Sequence, residues 1–287
     1  MRVSKELAPP SRNSQGFSRF RLTIEALALV FLACVAMRSV ARTIRVRVIE
    51  GPTHAFLVLQ TLDGKTIAEG DLIETLKGVT VKTETVLHFY DGSFYDETTE
   101  FSERADFRFL NDHLTQKGPS FKQQMERSID GSTGQVTVNY TDDKGQQKQE
   151  SQHMKLPDDI ANGMFLTLIK NIDPSKSQTS VTVVAGAPKP RLVQVIITLQ
   201  GKAPFLIGKS KREGMEYDLK PKIEGAAGVI APLIGKQPPD THVWVLGGES
   251  PVVLKSEGPL EPDGPIWRMQ NVGPSWPSDL PQAQSSK

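Results

Sequence analysis

The sequence holds one cysteine, Cys34, among 287 residues. An internal disulfide framework is thereby excluded, as is any metal site built on two or four cysteine thiolates. Charge of one sign is also lacking, since 34 Lys and Arg stand against 33 Asp and Glu. A nucleic-acid binder would need a basic surface to neutralise phosphates, and none is implied. Long apolar runs are missing as well. The longest, Ala26 to Met37, has twelve residues, short of the roughly 20 that a spanning helix requires. Aromatics make up only 7% of the chain. With 38% hydrophobic residues, the chain still has enough apolar material for a packed core.

What is present at the amino terminus reads as an export signal. Arg2, Lys5, Arg12, Arg19 and Arg21 precede the apolar run, and Ser39 and Ala41 supply small residues for a peptidase site after Ala41. Residues 1–41 carry six basic and two acidic side chains, so the remaining 246 residues have a net charge of −3 and no cysteine. The expected location is periplasmic or extracellular. The alternatives are an uncleaved anchor, or lipidation at Cys34, because Phe31-Leu32-Ala33-Cys34 partly matches a lipobox with Phe31 where Leu is usual.

Beyond residue 41 the dominant period is two. Val136, Val138 and Tyr140 share one face, as do Val193, Val195, Ile197 and Leu199, and the run Met215–Ile223 alternates throughout. This pattern predicts antiparallel strands with one buried face. Pro221 within such a run implies a strand edge or a bulge. Asp63-Gly64, Asp91-Gly92, Asp130-Gly131 and Asp142-Asp143-Lys144-Gly145 mark hairpin turns, so residues 53–156 read as a meander. One segment changes period: Ile160, Met164, Leu168 and Ile172 fall on one helical stripe behind Pro157, predicting an amphipathic helix over about 157–172. Gly163 inside it points to close packing of helix on sheet, or to a gap where a ligand meets the backbone. Residues 201–287 contain 11 of the 23 Gly and 12 of the 20 Pro, which predicts long loops and short strands there.

The expected architecture is therefore mainly β within an α+β class: a curved antiparallel sheet, half-barrel-like, packed on one amphipathic helix, with a loop-rich carboxyl third. Residues 42–272 form one β-rich domain and 273–287 a disordered tail.

Motifs for chemistry fall short. Gly208-Lys209-Ser210 ends like a phosphate-binding loop, but Ala203 stands where the first Gly belongs and a strand follows instead of a helix. Gly247-Gly248-Glu249-Ser250-Pro251 lacks the Gly-x-Ser-x-Gly pattern of a nucleophile elbow. His54, His88, His113, His153 and His242 form no paired zinc spacing. The carboxylates Asp91, Asp96, Glu97, Glu100, Glu103 and Asp106 lack calcium-loop spacing and read as a solvated sheet face. Trp244 and Trp267 read as packing residues. Neither a metal nor a cofactor is expected.

Thr61-Leu62-Asp63-Gly64-Lys65, Asp112 to Pro119, Leu156-Pro157-Asp158-Asp159 with Asn162-Gly163-Met164, and Gly235 to Trp244 together resemble a family of exported proteins of unknown function from soil bacteria. The layout is similar, more remotely, to the half-barrels of lipoprotein-localisation carriers, which implies a curved sheet sheltering acyl chains. The expected function is thus a non-enzymatic envelope protein that shelters an apolar or lipid ligand or docks an envelope partner. An exported hydrolase, with a site assembled only in three dimensions, is the alternative. The candidate ligand lining is Met164, Phe165 and Ile169 from the helix, with Val229, Ile230 and Leu233 from the apolar run Gly225–Gly235. Processing gives the first prediction. Intact-mass analysis of the envelope fraction should find a chain starting at Arg42 with no acyl adduct; retained residues 1–41, or an acylated Cys34, would contradict it.

Overall fold

The computed structural model describes residues 43–186, 189–222, 238–262 and 264–273. The predicted signal 1–41, the apolar run 225–235 and the tail from 274 lie outside the described residues. Among the described residues, fourteen strands form one antiparallel sheet in two meanders. The first comprises β1 (Thr53–Gln60), β2 (Thr66–Lys77), β3 (Thr80–Phe89), β4 (Phe94–Glu103), β5 (Phe107–Lys117), β6 (Met125–Asp130), β7 (Gln135–Thr141) and β8 (Gln147–His153). The second comprises β9 (Gln178–Ala185), β10 (Arg191–Ile207), β11 (Ser210–Lys222), β12 (Thr241–Leu246), β13 (Val252–Gly258) and β14 (Trp267–Val272). Pairing of β1 with β14, from Phe56 opposite Val272 to Gln60 opposite Arg268, fuses the meanders. The sheet curves but does not close: β8 is one edge and β9 the other.

The turn chemistry works largely as the sequence implies. Gly64, Gly92 and Gly145 take the positive φ that tight hairpins need. In the β6–β7 connection the left-handed residue is Gly134 rather than Gly131. Inside β2, Gly70 lies so close to β3 that an added Cβ would sit 1.7 Å from the Val86 carbonyl oxygen. A glycine at that spot permits the bend that curves the sheet.

Two expectations need correction. Strands in the carboxyl third are not all short, because β10 has 17 residues and β11 has 13. Pro221 of β11 pairs with Val195 of β10 and lies past Leu219, the last described residue paired with β12, which puts it near a strand end. The helix is also shorter than its apolar stripe. Helix α1 spans only Phe165–Asn171. Upstream, the Thr182 amide donates to the Asp159 carbonyl (3.0 Å) and the Ala161 amide to the Thr182 carbonyl (2.9 Å), forming a short parallel bridge with β9. Ile160 therefore packs as an extended residue.

Helix α1 lies within the curve of the sheet. Met164, Leu168, Ile169 and Ile172 pack with Val81 and Phe101 on one side and with Val181, Val195, Ile197, Tyr217, Leu219, Val243 and Val245 on the other. A second cluster holds Leu57, Leu59, Leu87, Phe89, Tyr95, Leu114, Phe121, Ile129, Val136, Val138 and Trp267. The Phe89, Phe121 and Trp267 rings meet at centroid distances of 5.3 to 6.3 Å, near the preferred spacing for tilted and edge contacts. Both clusters use the same parity of β3 and β4, so they share one concave face.

The N-terminal arm seals the helix end. Asn171 Oδ1 accepts from the Arg47 amide (2.8 Å) and the Val48 amide (2.7 Å), and Arg47 Nη1 donates to the Ile172 carbonyl (2.9 Å). Orphan carbonyls at a helix end are thus partly satisfied by the arm.

Gly163 turns the chain into α1 with φ +63°, and an added Cβ would stand 1.7 Å from Thr99 Oγ1. Close approach to the sheet, rather than a ligand gap, occupies this position. Gly145 has φ +75° but open space around it. Gly145→Ala should therefore cost about 1 kcal/mol from backbone strain alone, and Gly163→Ala about 3 kcal/mol from strain plus overpacking. Urea unfolding compares the two, and equal losses would contradict the packing account.

Candidate functional site

Between the two apolar clusters runs a belt of buried polar side chains. Tyr95, Glu97, Thr99, Phe101 and Glu103 alternate inward along β4, so Glu97 is brought inside with the aromatics. From β5 comes Asp112, and from β6 comes Arg127. A bulge in the β4–β5 register places Phe101 opposite Phe109 and Glu100 opposite Asn111, leaving Leu110 as an extra residue. Inward parity on β5 switches there from Phe107 and Phe109 to Asp112, Leu114 and Gln116. Without the bulge Asp112 would point to solvent.

Arg127 Nη2 lies 3.2 Å from Asp112 Oδ1 and 3.7 Å from Glu97 Oε1, and Nη1 donates to the Val184 carbonyl at 3.4 Å. Thr99 Oγ1 donates to Asp112 Oδ2 (2.9 Å), and Tyr95 Oη to Glu97 Oε2 (2.9 Å). Asn162 completes the group: its Nδ2 donates to the Val184 carbonyl (2.9 Å) and its Oδ1 accepts from the Val184 amide (2.8 Å). Thus β9 is clasped from both sides, by the turn before α1 and by the first meander through Arg127.

Burial pushes the Glu97 carboxyl up to about 7, and the Asp112 charge adds to this while Arg127 opposes it. Burial works against the Arg127 cation, but Asp112 and Glu97 outweigh it and raise its pKa. Burial also raises the Tyr95 phenol well above its ordinary value. Two carboxyls thus share one guanidinium, and Glu97 changes protonation near neutrality. This arrangement can hold a proton and lock strands together.

A second buried group sits by the carboxyl end of α1. Lys170 Nζ lies 2.6 Å from Glu50 Oε2, and the Glu50 amide donates to Glu103 Oε2 at 2.8 Å. Burial raises the Glu74 and Glu103 carboxyls, with Lys170 opposing the shift in each. The expectation of a solvated acidic face is therefore wrong for Glu97 and Glu103. Their parity with Tyr95 and Phe101 was the signal in the sequence that places them inside.

Of the expected ligand lining, Met164 and Ile169 are buried in the helix-bearing cluster and Phe165 is half-buried against it. Val229, Ile230 and Leu233 lie outside the described residues. A void of about 10 Å³ adjoins Ile44, Phe107, Ile160, Met164, Leu168 and Val181, at most the space of one water. A larger hollow of about 370 Å³, by Val79, Ser102, Arg104 and Arg108, is open surface. Trp267 is core, whereas Trp244 lies on the outer face with Lys255 Nζ 3.9 Å from its ring centroid. Among the described residues no set of three or more His, Cys, Asp or Glu is arranged to hold a metal ion. No helix of the described residues is long and apolar enough to cross a membrane.

The belt implies a definite pH response. A carboxyl whose folded pKa lies above its unfolded value keeps its proton where the unfolded chain has lost it, so stability falls as pH rises between the two values. For Glu97 that window runs from 4.5 to about 7. Urea midpoints should decline across it, and Glu97→Gln should flatten the part of the decline nearest neutrality. An unchanged slope in the variant would show that Glu97 titrates normally.

No family model and no curated protein sequence matches the chain. Among solved structures, it is similar to a β-barrel-like protein of the domain of unknown function DUF1849 from Brucella abortus, with a TM-score of 0.44 and 12% identity over 78% of this chain and 97% of that one. The described residues form a mainly β, curved and unclosed antiparallel sheet around one helix, as their own strand pairing shows.

Proposed function

We propose that the protein is a non-enzymatic exported carrier whose sheet parts along the β8–β9 seam to shelter an apolar or acyl group against Met164, Phe165 and Ile169. The observation that carries this reading is the seam. The two edge strands are not paired with each other, and β9 is held across the gap by the connector before α1, by β6 and by one bond from β8: Asn162 and Arg127 on Val184, Asp159 and Ala161 on Thr182, and Gln152 Nε2 donating to the Pro190 carbonyl, just past β9, at 2.7 Å. Such a joint opens at lower cost than a strand ladder, because fewer backbone hydrogen bonds are broken together. Behind it stands an apolar helix preceded by a methionine, Met164, whose flexible thioether adapts to varied shapes. In the closed state that volume is filled by core, so occupancy by a ligand requires the seam to move.

On this reading the apolar run around Val229, Ile230 and Leu233 supplies part of the lining once the seam is open, and export places the carrier in the envelope. The test is displacement of a fluorescent fatty acid by the chain from Arg42 onward. Saturable binding is expected, weakened at least about tenfold by Phe165→Asp, since one buried aromatic contributes about 1.5–3 kcal/mol. Far-ultraviolet circular dichroism checks that the variant stays folded. Absence of saturable binding by the native chain would overturn the carrier reading and leave Met164, Phe165 and Ile169 as core alone.

A further inference from the structure

Strands β10 and β11 run past their neighbours. Pairing of β9 with β10 stops at Thr198, and pairing of β12 with β11 stops at Met215. Beyond those points, among the described residues, β10 and β11 pair only with each other, from Ala203 opposite Gly214 to Ile207 opposite Ser210. The result is a two-stranded finger about 15 Å long at the usual rise per residue, with the turn beyond it. A register shift between Leu199 and Gly201 marks its base, with Gly201 at φ +140°. Gly208 and Lys209 form its tip, with the positive φ at Gly208 that a two-residue hairpin loop of the II′ kind places first.

The finger's end is apolar on both faces. Leu206 and Ile207 are 65% and 57% exposed, the first pointing to one face and the second to the other, with half-buried Phe205 behind Ile207. Cations surround them. Lys211 stands opposite Leu206, Arg212 opposite Phe205, Lys209 occupies the turn and Lys202 lies nearer the base. Glu213 is the one acidic residue of the finger, and it pairs with Lys202 at 3.0 Å. A bare two-stranded hairpin gains little stability from its own side chains, so core packing does not account for apolar residues at this end.

We infer that the β10–β11 finger inserts its Phe205-Leu206-Ile207 tip into the surface of an anionic lipid bilayer. Charge complementarity selects this occupant: the exposed apolar side chains next to the turn stand beside Lys209, Lys211 and Arg212, and long cationic side chains can reach anionic headgroups while the apolar groups enter the acyl boundary. The size of the tip points the same way. Three side chains are too few for a stable protein interface, which buries roughly 600–1,000 Å² per partner, whereas a bilayer accepts a narrow wedge. The inference does not rest on the carrier reading, since the finger lies outside the concave face.

Co-sedimentation with phosphatidylcholine vesicles, with and without phosphatidylglycerol, tests it on the chain from Arg42, which lies within the compact unit Ala41–Lys287. Native protein should bind the phosphatidylglycerol vesicles about tenfold or more tightly than the neutral ones, and less so as salt rises. Joint replacement Leu206→Asp and Ile207→Asp should abolish binding to both. Joint replacement Lys209→Ser, Lys211→Ser and Arg212→Ser should remove the preference for anionic lipid. Both sets lie on exposed residues, so the fold, read by circular dichroism, and fatty-acid displacement should match the native chain. Equal binding to both vesicle types, binding unaffected by the Asp replacements, or a tip-dependent self-association in place of vesicle binding would each overturn the inference.

Discussion

A curved sheet that stops short of closure leaves a buried strand edge whose amides and carbonyls must find partners, and the rest of this molecule is arranged around that requirement. An unpaired peptide group away from water costs on the order of 1–3 kcal/mol. On β9 the need is met residue by residue: Thr182 by the backbone of Asp159 and Ala161, and Val184 by the amide side chain of Asn162. To deliver Asn162 there, the chain must turn sharply toward α1. That turn needs the left-handed Gly163 pressed against Thr99. The helix is placed inside the curve because the connector that patches the edge leads directly into it.

Arg127 extends the same logic across the molecule. Its guanidinium reaches the Val184 carbonyl while its charge is held by Asp112 and Glu97. Desolvating these charges offsets most of what their attraction returns, so the group adds little to stability compared with an apolar filling. What it adds is register. Aliphatic side chains on β5 and β6 could slide past β9 with modest loss, whereas a guanidinium aimed at one carbonyl and one carboxylate accepts a single alignment.

Much of the fold is visible in the sequence, and the exceptions have physical reasons. Asp-Gly and Gly-bearing turns fix local backbone conformation, so the meander from β1 to β8 could be read from Asp63-Gly64 through Gly145. Helix length could not, because Ile160 fits a helical stripe and a strand bridge equally well, and only the position of β9 decides between them. The inward carboxylates were half legible: Glu97 shares parity with Tyr95 and Phe101, but Asp112 depends on the bulge at Leu110, which no local pattern announces. Pairing of β1 with β14 joins residues more than two hundred positions apart and leaves no local trace. The finger's apolar tip is plain in Phe205-Leu206-Ile207, yet its exposure follows from where β9 and β12 end.

That same β1–β14 junction bears on how the chain is made. Synthesis runs from the amino end, so β1 through β8 can form hairpins while the outer side of β1 still lacks its partner. The partner residues 268–272 leave the ribosome only after the whole second meander. At about 5–20 residues per second, the interval is on the order of ten seconds or more. During it, β1 is a bare template carrying Phe56 and Val58, open to any passing extended segment. The outer edge of β1 is thus the last of the sheet's junctions to gain its partner, and it stays covered only if folding waits until β14 is present.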